Sequence, residues 1–199
     1  MTKKKIKIII SCGGTGGHIF PALEIAKSLQ KIMPNLEILF IGALNKMEMS
    51  IVPKHGFNII GLWIQGLHRN SILKNILFPV KLIISLFHAL LLLFYHRPLA
   101  IIGTGGFASG PILYMASLLR YKTYIQEQNY FPGLTNKLLS RTTSKVFVAH
   151  NNMDKFFPSH KIINYGNPIR QSLLTKLSVK YVQESRQFFN LLNQRFTIL

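Results

Sequence analysis

One stretch governs what this chain can fold into: IKIIISCGGTGGHIFPALEIAKSL, residues 6–29. A β-branched run, Ile6 to Ile10, leads into Gly13-Gly14-Thr15-Gly16-Gly17 and then His18. Pro21 opens an amphipathic stretch with Ala22, Ile25, Ala26, Leu29 and Met33 on one face. The pattern reads strand, tight turn, helix. Glycines permit positive φ and let a ligand approach bare amides. The first amides of a helix lack intrahelical partners and lie at the positive end of its dipole, so the turn suits a phosphate or another anion. An imidazole just past such a turn can take a proton from a hydroxyl held over it. The alternative is an α/β turn whose glycines relieve sterics, with His18 an incidental cap. No Gly-Lys-Ser/Thr follows, so this is not a Walker loop, and GGTGGH lacks the last glycine of a dinucleotide fingerprint.

Apolar runs alternate with helical stretches along the rest of the chain. Strands are expected at Leu36–Ile41 (ended by Gly42), Phe57–Ile64, Ala100–Ile102, Thr123–Gln126, Lys145–Ala149 and Ile162–Tyr165. Helices are expected at Met47–His55 (closed by Gly56), within Ser71–Tyr95, after Ser109-Gly110-Pro111, and at Gly133–Leu139. Ser109 suits the cap of its helix and Pro111 the first turn. This rhythm predicts a doubly wound, parallel α/β sheet with helices on both faces. Ligands in such folds bind off the carboxyl ends of the strands. Both glycine turns, Glu127-Gln128-Asn129 and Gly166-Asn167-Pro168-Ile169-Arg170 fall there. Gly103-x-Gly105-x-x-Ala108, followed at a distance by Glu127, also fits a variant NAD fingerprint, held as the runner-up. From Gln171 the glycines stop, and Val179–Gln194 is polar and helix-permissive.

Ile76–Tyr95 has about the 20 residues of a bilayer crossing, but Pro79, Lys81 and His88 interrupt it. A crossover helix on the sheet is the leading expectation, an interfacial segment the second, a true span the last. Ile72, Leu73, Ile76, Leu77 and Phe78, with Lys74 and Lys81 around them, combine apolar insertion with basic attraction. That combination predicts peripheral binding to anionic membrane. The formal charge of +18 with six acidic residues favours anionic partners such as nucleic acid, acidic lipid or a phosphorylated substrate. Compositional drift is the alternative source of that charge. Cys12 is the lone cysteine, so no disulfide forms within the chain, which fits a reducing compartment. Lys3-Lys4-Lys5 before the isoleucines imitates a lipoprotein signal, but the apolar part is short and broken by Lys7, so it reads as a first strand.

Five ordered segments carry a resemblance: GGTGGHIFPALEIAKSL, VPKHGF, GTGGFASGPILYMASLL, EQNYFPGLTNKLLS and YGNPIR. From Ile6 to Arg170 the chain resembles the N-terminal half of the MurG family. These bacterial glycosyltransferases add N-acetylglucosamine to undecaprenyl-pyrophosphoryl-N-acetylmuramoyl-pentapeptide in peptidoglycan synthesis. The resemblance implies a GT-B fold, two Rossmann-like domains across a cleft. Residues 1–170 would be the acceptor-binding domain, and 171–199 a linker helix and the start of an absent donor domain. It implies an inverting, metal-independent transfer from UDP-N-acetylglucosamine, with no cofactor. Thr15, Gly16, Gly17, Asn129 and Arg170 would contact that donor, and His18 would be the base. Gly105 and Gly106, with Ser109 and Glu127, would hold the acceptor pyrophosphate. The implied place is the cytoplasmic face of the inner membrane, peripherally on anionic lipid, with no nucleic-acid partner. Two departures stand out. Gln126 replaces the histidine usual in the family before Glu-Gln-Asn. The sequence stops at Phe196-Thr197-Ile198-Leu199, where the second domain's first strand should begin. A fragment, a split gene and a decaying gene all fit that stop. Alone, the chain is expected not to transfer, and a separately encoded donor domain is an expected partner. The alternative is a non-catalytic remnant that binds lipid-linked pyrophosphate.

Overall fold

The computed structural model describes residues 6–67, 73–169, 184 and 186–188. Met1–Pro168 form one compact unit and Ile169–Leu199 another. Of the helix expected over Val179–Gln194, Glu184 and residues 186–188 are helical and the remainder lies outside the described residues.

The first unit is built on seven parallel strands: β1 (Lys7–Ser11), β2 (Glu37–Ala43), β3 (Asn58–Leu62), β4 (Ala100–Gly103), β5 (Lys122–Glu127), β6 (Lys145–Val148) and β7 (Ile162–Asn164). Their order across the sheet is β3-β2-β1-β4-β5-β6-β7. Each long crossover is a helix: α1 (Gly16–Ile32), α2 (Glu48–Lys54), α3 (Phe78–His96), α4 (Ser109–Leu118) and α5 (Leu134–Ser140). Successive residues of a strand face opposite sides, so the isoleucines of β1 serve two cores. Ile8 and Ile10 pack with Ile19, Leu23 and Ala26 of α1, Val52 of α2 and Phe40. Ile9 packs with Leu93 of α3, Ile112 and Leu113 of α4, Leu139 of α5 and Ile125. Burying each such side chain stabilises the fold by about 1.5–3 kcal/mol. In the pairing of β1 with β4, Ser11 lies opposite Gly103, so the two glycine turns leave neighbouring strand ends side by side.

Three local expectations are corrected. Helix α1 starts at Gly16 rather than Pro21, and Thr15 is its N-cap residue. The Thr15 carbonyl accepts from the amides of both His18 (3.1 Å) and Ile19 (3.2 Å). Pro21 therefore lies inside the helix. Proline has no amide to donate to the carbonyl of Gly17, four residues back, an exposed residue of the first turn. Gly42 does not end β2, which runs on to Ala43. Ser109 does not cap α4: Ala108 holds that position, and the Ser109 hydroxyl donates backward to the Gly106 carbonyl at 2.8 Å.

The apolar stretch before β4 is a crossover helix. α3 buries Ser85, Ala89, Leu92 and Leu93, and the Ser85 hydroxyl donates to the Trp63 carbonyl at 2.9 Å. By length and composition it is also apolar enough to cross a membrane. Its outer side keeps Val80, Ile83, Ile84, Phe87, Leu91 and Phe94 exposed, Phe87 by 61%. These recur at three- and four-residue spacing, an apolar stripe along one helix face.

Candidate active site

The two glycine turns are pressed together. Gly106 has φ +83°, and a Cβ there would lie 2.0 Å from the Gly13 carbonyl oxygen. A side chain on Gly105 (φ +107°) would meet the His18 ring at 2.8 Å. Only glycine allows this approach.

His18 sits in the first turn of α1, half-buried. Its Nδ1 is 2.9 Å from the Thr104 carbonyl oxygen and 3.3 Å from Gln128 Oε1. Both are acceptors, so Nδ1 carries the proton and Nε2 presents its lone pair. Thr104 grips the residue a second time, its hydroxyl donating to the His18 carbonyl at 2.7 Å. Gln128 Nε2 donates to the same Thr104 carbonyl at 2.9 Å and also to Gln126 Oε1. Gln126 Nε2 in turn donates to Asn167 Oδ1 at 3.2 Å. A chain of amides thus ties His18 to the ends of β4, β5 and β7. Gln126, standing where a histidine was expected, is a link in that chain.

Glu127 is wholly buried. Its Oε1 accepts from the backbone and side-chain amides of Asn129 (3.0 and 3.1 Å). Its Oε2 accepts from the Gly133 amide (3.2 Å) and Asn136 Nδ2 (2.8 Å). Four donors fill this carboxylate, which leaves it no capacity for a ribose and removes the acidic residue that the NAD alternative requires. Asn136 is 2% exposed, lies beside Gly105, and its Oδ1 has no protein partner. Ser109 is also buried, its hydroxyl engaged as described.

The expected donor contacts sit at the mouth of the turn. Thr15 and Gly17 are exposed and Gly16 half-buried, at the helix start where amides lack intrahelical partners. Asn129 is exposed and held by Glu127. Arg170 lies outside the described residues, as do Ile72 and the Lys74 side chain of the expected membrane patch. Within that patch Leu73 (81%), Ile76 and Leu77 are exposed. Phe78 packs partly against the core, and Lys81 donates to Gln65 Oε1 at 2.6 Å with its ammonium over the Trp63 ring. Among the described residues, no three His, Cys, Asp or Glu side chains group as a metal site.

Sequence reasoning missed Glu48, also wholly buried. Its Oε2 accepts from the Gly14 amide at 3.1 Å and its Oε1 from the Ala43 amide at 3.0 Å. The available signal was an acid at a helix start, one of six in a strongly basic chain.

Comparison with known proteins places this geometry. The family described as Glycosyltransferase family 28 N-terminal domain matches residues 8–148. The UDP-N-acetylglucosamine–N-acetylmuramyl-(pentapeptide) pyrophosphoryl-undecaprenol N-acetylglucosamine transferase of Flavobacterium psychrophilum is 47% identical over 196 residues, which are 98% of this chain and 53% of that protein. The protein of the same name from Porphyromonas gingivalis is 50% identical over 169 residues, 85% of this chain and 45% of that protein. Among solved structures, Acinetobacter baumannii MurG overlays with a TM-score of 0.70 at 29% identity, covering 83% of this chain and 46% of that one. The Neisseria meningitidis UDP-GlcNAc 2-epimerase bound to UDP-GlcNAc overlays with a TM-score of 0.64 at 16% identity and shares the fold alone. The chain spans about half the length of the curated relatives it matches. The family match runs from inside β1 to the last residue of β6, taking in both glycine turns and the His18 contacts, and the chain accordingly belongs to glycosyltransferase family 28, to whose N-terminal domain it corresponds.

Proposed function

We propose that this chain is the acceptor-side half of a MurG-type transferase. The reaction moves N-acetylglucosamine from UDP-N-acetylglucosamine to undecaprenyl-pyrophosphoryl-N-acetylmuramoyl-pentapeptide. An acceptor hydroxyl oxygen bonds to the anomeric carbon as the bond to the UDP oxygen breaks, so the configuration inverts. UDP departs with the electron pair, and the hydroxyl proton passes to His18 Nε2. The observation that carries this reading is the His18–Thr104 pair, which leaves Nε2 as a base where two glycine turns meet. Thr15, Gly16, Gly17 and Asn129 face the donor in this reading; Arg170, expected with them, lies outside the described residues. Gly105 and Gly106 take the acceptor pyrophosphate, with Ser109 and Glu127 shaping that region from inside rather than touching it. The free Asn136 Oδ1 would accept from a ligand hydroxyl.

The remaining half of the relatives' length would supply the other donor contacts, in this polypeptide or a separate one. Each 1.4 kcal/mol of lost contact is about tenfold in affinity, and a donor not held in line loses the proximity term as well. Residues 1–199 alone should therefore transfer radiolabelled sugar to a lipid acceptor poorly. Adding a donor domain should restore turnover, and His18→Ala should then remove about 10²–10⁴-fold of it. Robust transfer by residues 1–199 alone would show the donor site to be misplaced. No transfer with a folded donor domain, while acceptor still binds, leaves a pyrophosphate-binding module.

The same reading puts the protein peripherally on the anionic face of the inner membrane. Leu73, Ile76, Leu77 and the outer stripe of α3 would enter the lipid, with basic residues around them. Flotation with anionic vesicles should fall with salt, and fall further in a Leu77→Ser/Ile83→Ser/Phe87→Ser variant. Extraction by detergent alone, never by salt or alkali, would instead mean a true span.

A further inference from the structure

The first glycine turn already holds an anion, and it comes from the chain itself. Glu48 is wholly buried, and among the described residues no cation lies within ion-pair distance of it. A buried carboxylate without a counter-ion is costly unless hydrogen bonds hold its charge. Here the amides of Gly14 and Ala43 do so, at the tips of β1 and β2. Amides at a glycine turn are the donors that elsewhere bind phosphate. The fit is tight: a Cβ on Gly13 would lie 2.6 Å from Glu48 Oε1, and one on Gly42 2.5 Å from its Cγ. The neighbouring Cys12 thiol is pushed well up, first by burial and then by the Glu48 charge.

We propose that Glu48 is a positioning residue of the cleft: its carboxylate fills the anion position of the first glycine turn, fixing Gly13 and Gly14 against the second turn and excluding a substrate phosphate from that point. The effect reaches His18 through contacts already described, from Gly14 to the Gly13 carbonyl under Gly106, and from Gly105 to the imidazole. The proposal deepens the transferase reading and rests on it for the identity of the excluded phosphate. Its test measures no transfer, so the two fail separately.

The test compares the full chain with Glu48→Ala and Glu48→Gln. Thermal midpoints are measured in sodium formate and in sodium chloride at equal ionic strength. Amide resonances of Gly14 and Ala43 and ring resonances of His18 are followed by NMR. Glu48→Ala leaves the buried Ala43 amide and the half-buried Gly14 amide without this partner and should lower the midpoint by about 5–10 °C. Formate, a carboxylate small enough for the vacated space, should saturably restore at least half of that loss and return the Gly14 resonance toward its wild-type position. Chloride should not, and the wild type should gain from neither. Inorganic phosphate should move the Gly14 resonance in Glu48→Ala and leave it in place in the wild type. Glu48→Gln keeps the size, offers one acceptor to two donors, and should shift both Gly14 and His18. Formate acting no better than chloride would overturn the proposal, as would phosphate moving Gly14 equally in the wild type. Should Glu48→Ala fold in neither salt, Glu48→Gln decides: Gly14 and His18 at their wild-type positions would overturn it, and displacement of both would support it.

Discussion

The two glycine turns share the string Gly-Thr-Gly-Gly, yet they are braced in opposite ways. The first is braced from within, a carboxylate bonded directly to the Gly14 amide. The second has its carboxylate one step away: Glu127 holds Asn136, and Asn136 lies beside Gly105. Direct bracing fills a turn with negative charge. A neutral amide beside the second turn brings no negative charge to it. The same glycine-rich wording thus serves one turn whose Gly14 amide is already taken by a carboxylate and one with no carboxylate among the described residues bonded to it directly, and the difference lies in residues distant in sequence.

The harshest probe of this contrast is a methyl group in each turn. Gly106→Ala drives a Cβ onto the Gly13 carbonyl, which is backbone and cannot swing aside. It should cost more than about 4 kcal/mol in urea denaturation. Gly14→Ala has similar positive φ but meets the Phe107 ring edge at 3.1 Å, which can move. It should cost about 1–3 kcal/mol. Equal losses would mean that the turns are not locked backbone to backbone.

Glu127→Gln comes next. Four donors then face one acceptor oxygen, which should cost about 2–3 kcal/mol and loosen the 129–133 loop, read as faster hydrogen exchange at Gly133. Unchanged exchange there would separate the loop from its carboxylate.

The smallest effect lies at the opposite end of β1 and serves as a control. His96 Nδ1 accepts from Lys7 Nζ at 3.0 Å, and Lys7 also pairs with Glu37 at 2.9 Å. Burial first, then the Lys7 charge, holds His96 below its ordinary value of 6.5, against a smaller upward pull from Glu37. The folded state then binds fewer protons than the unfolded one, so stability should fall as pH drops through about 6.5. His96→Asn should flatten that slope and leave the His18 resonances unmoved. A shift of His18 would mean that the two ends of β1 are coupled.

Much of this architecture was legible in the residues. The β-branched runs and glycine punctuation located all seven strands, because a strand buried on both faces has little freedom in composition. His18 stood out because nothing in a simple crossover needs an imidazole there. The start of α1 was misread because proline favours a first turn, whereas the Thr15 carbonyl accepts two amides and begins the helix earlier. Glu48 was illegible for a different reason. An acid at a helix start reads as a dipole partner, and only the pairing of β1 with β2 brings it under a turn 34 residues away. Thr104, 86 residues from His18, is hidden in the same way.

The strand order also sets a timetable. β1 is central, and its second neighbour, β4, begins only at Ala100. At ribosomal speeds of about 5–20 residues per second, β1 waits about 5–20 s for that neighbour. During that wait α3 emerges complete, before its main packing partner, α4, has been made. The nascent chain therefore shows a long greasy helix to whatever lies beside the ribosome. The order of synthesis leaves the inner face of α3 uncovered until α4 (Ser109–Leu118) follows it.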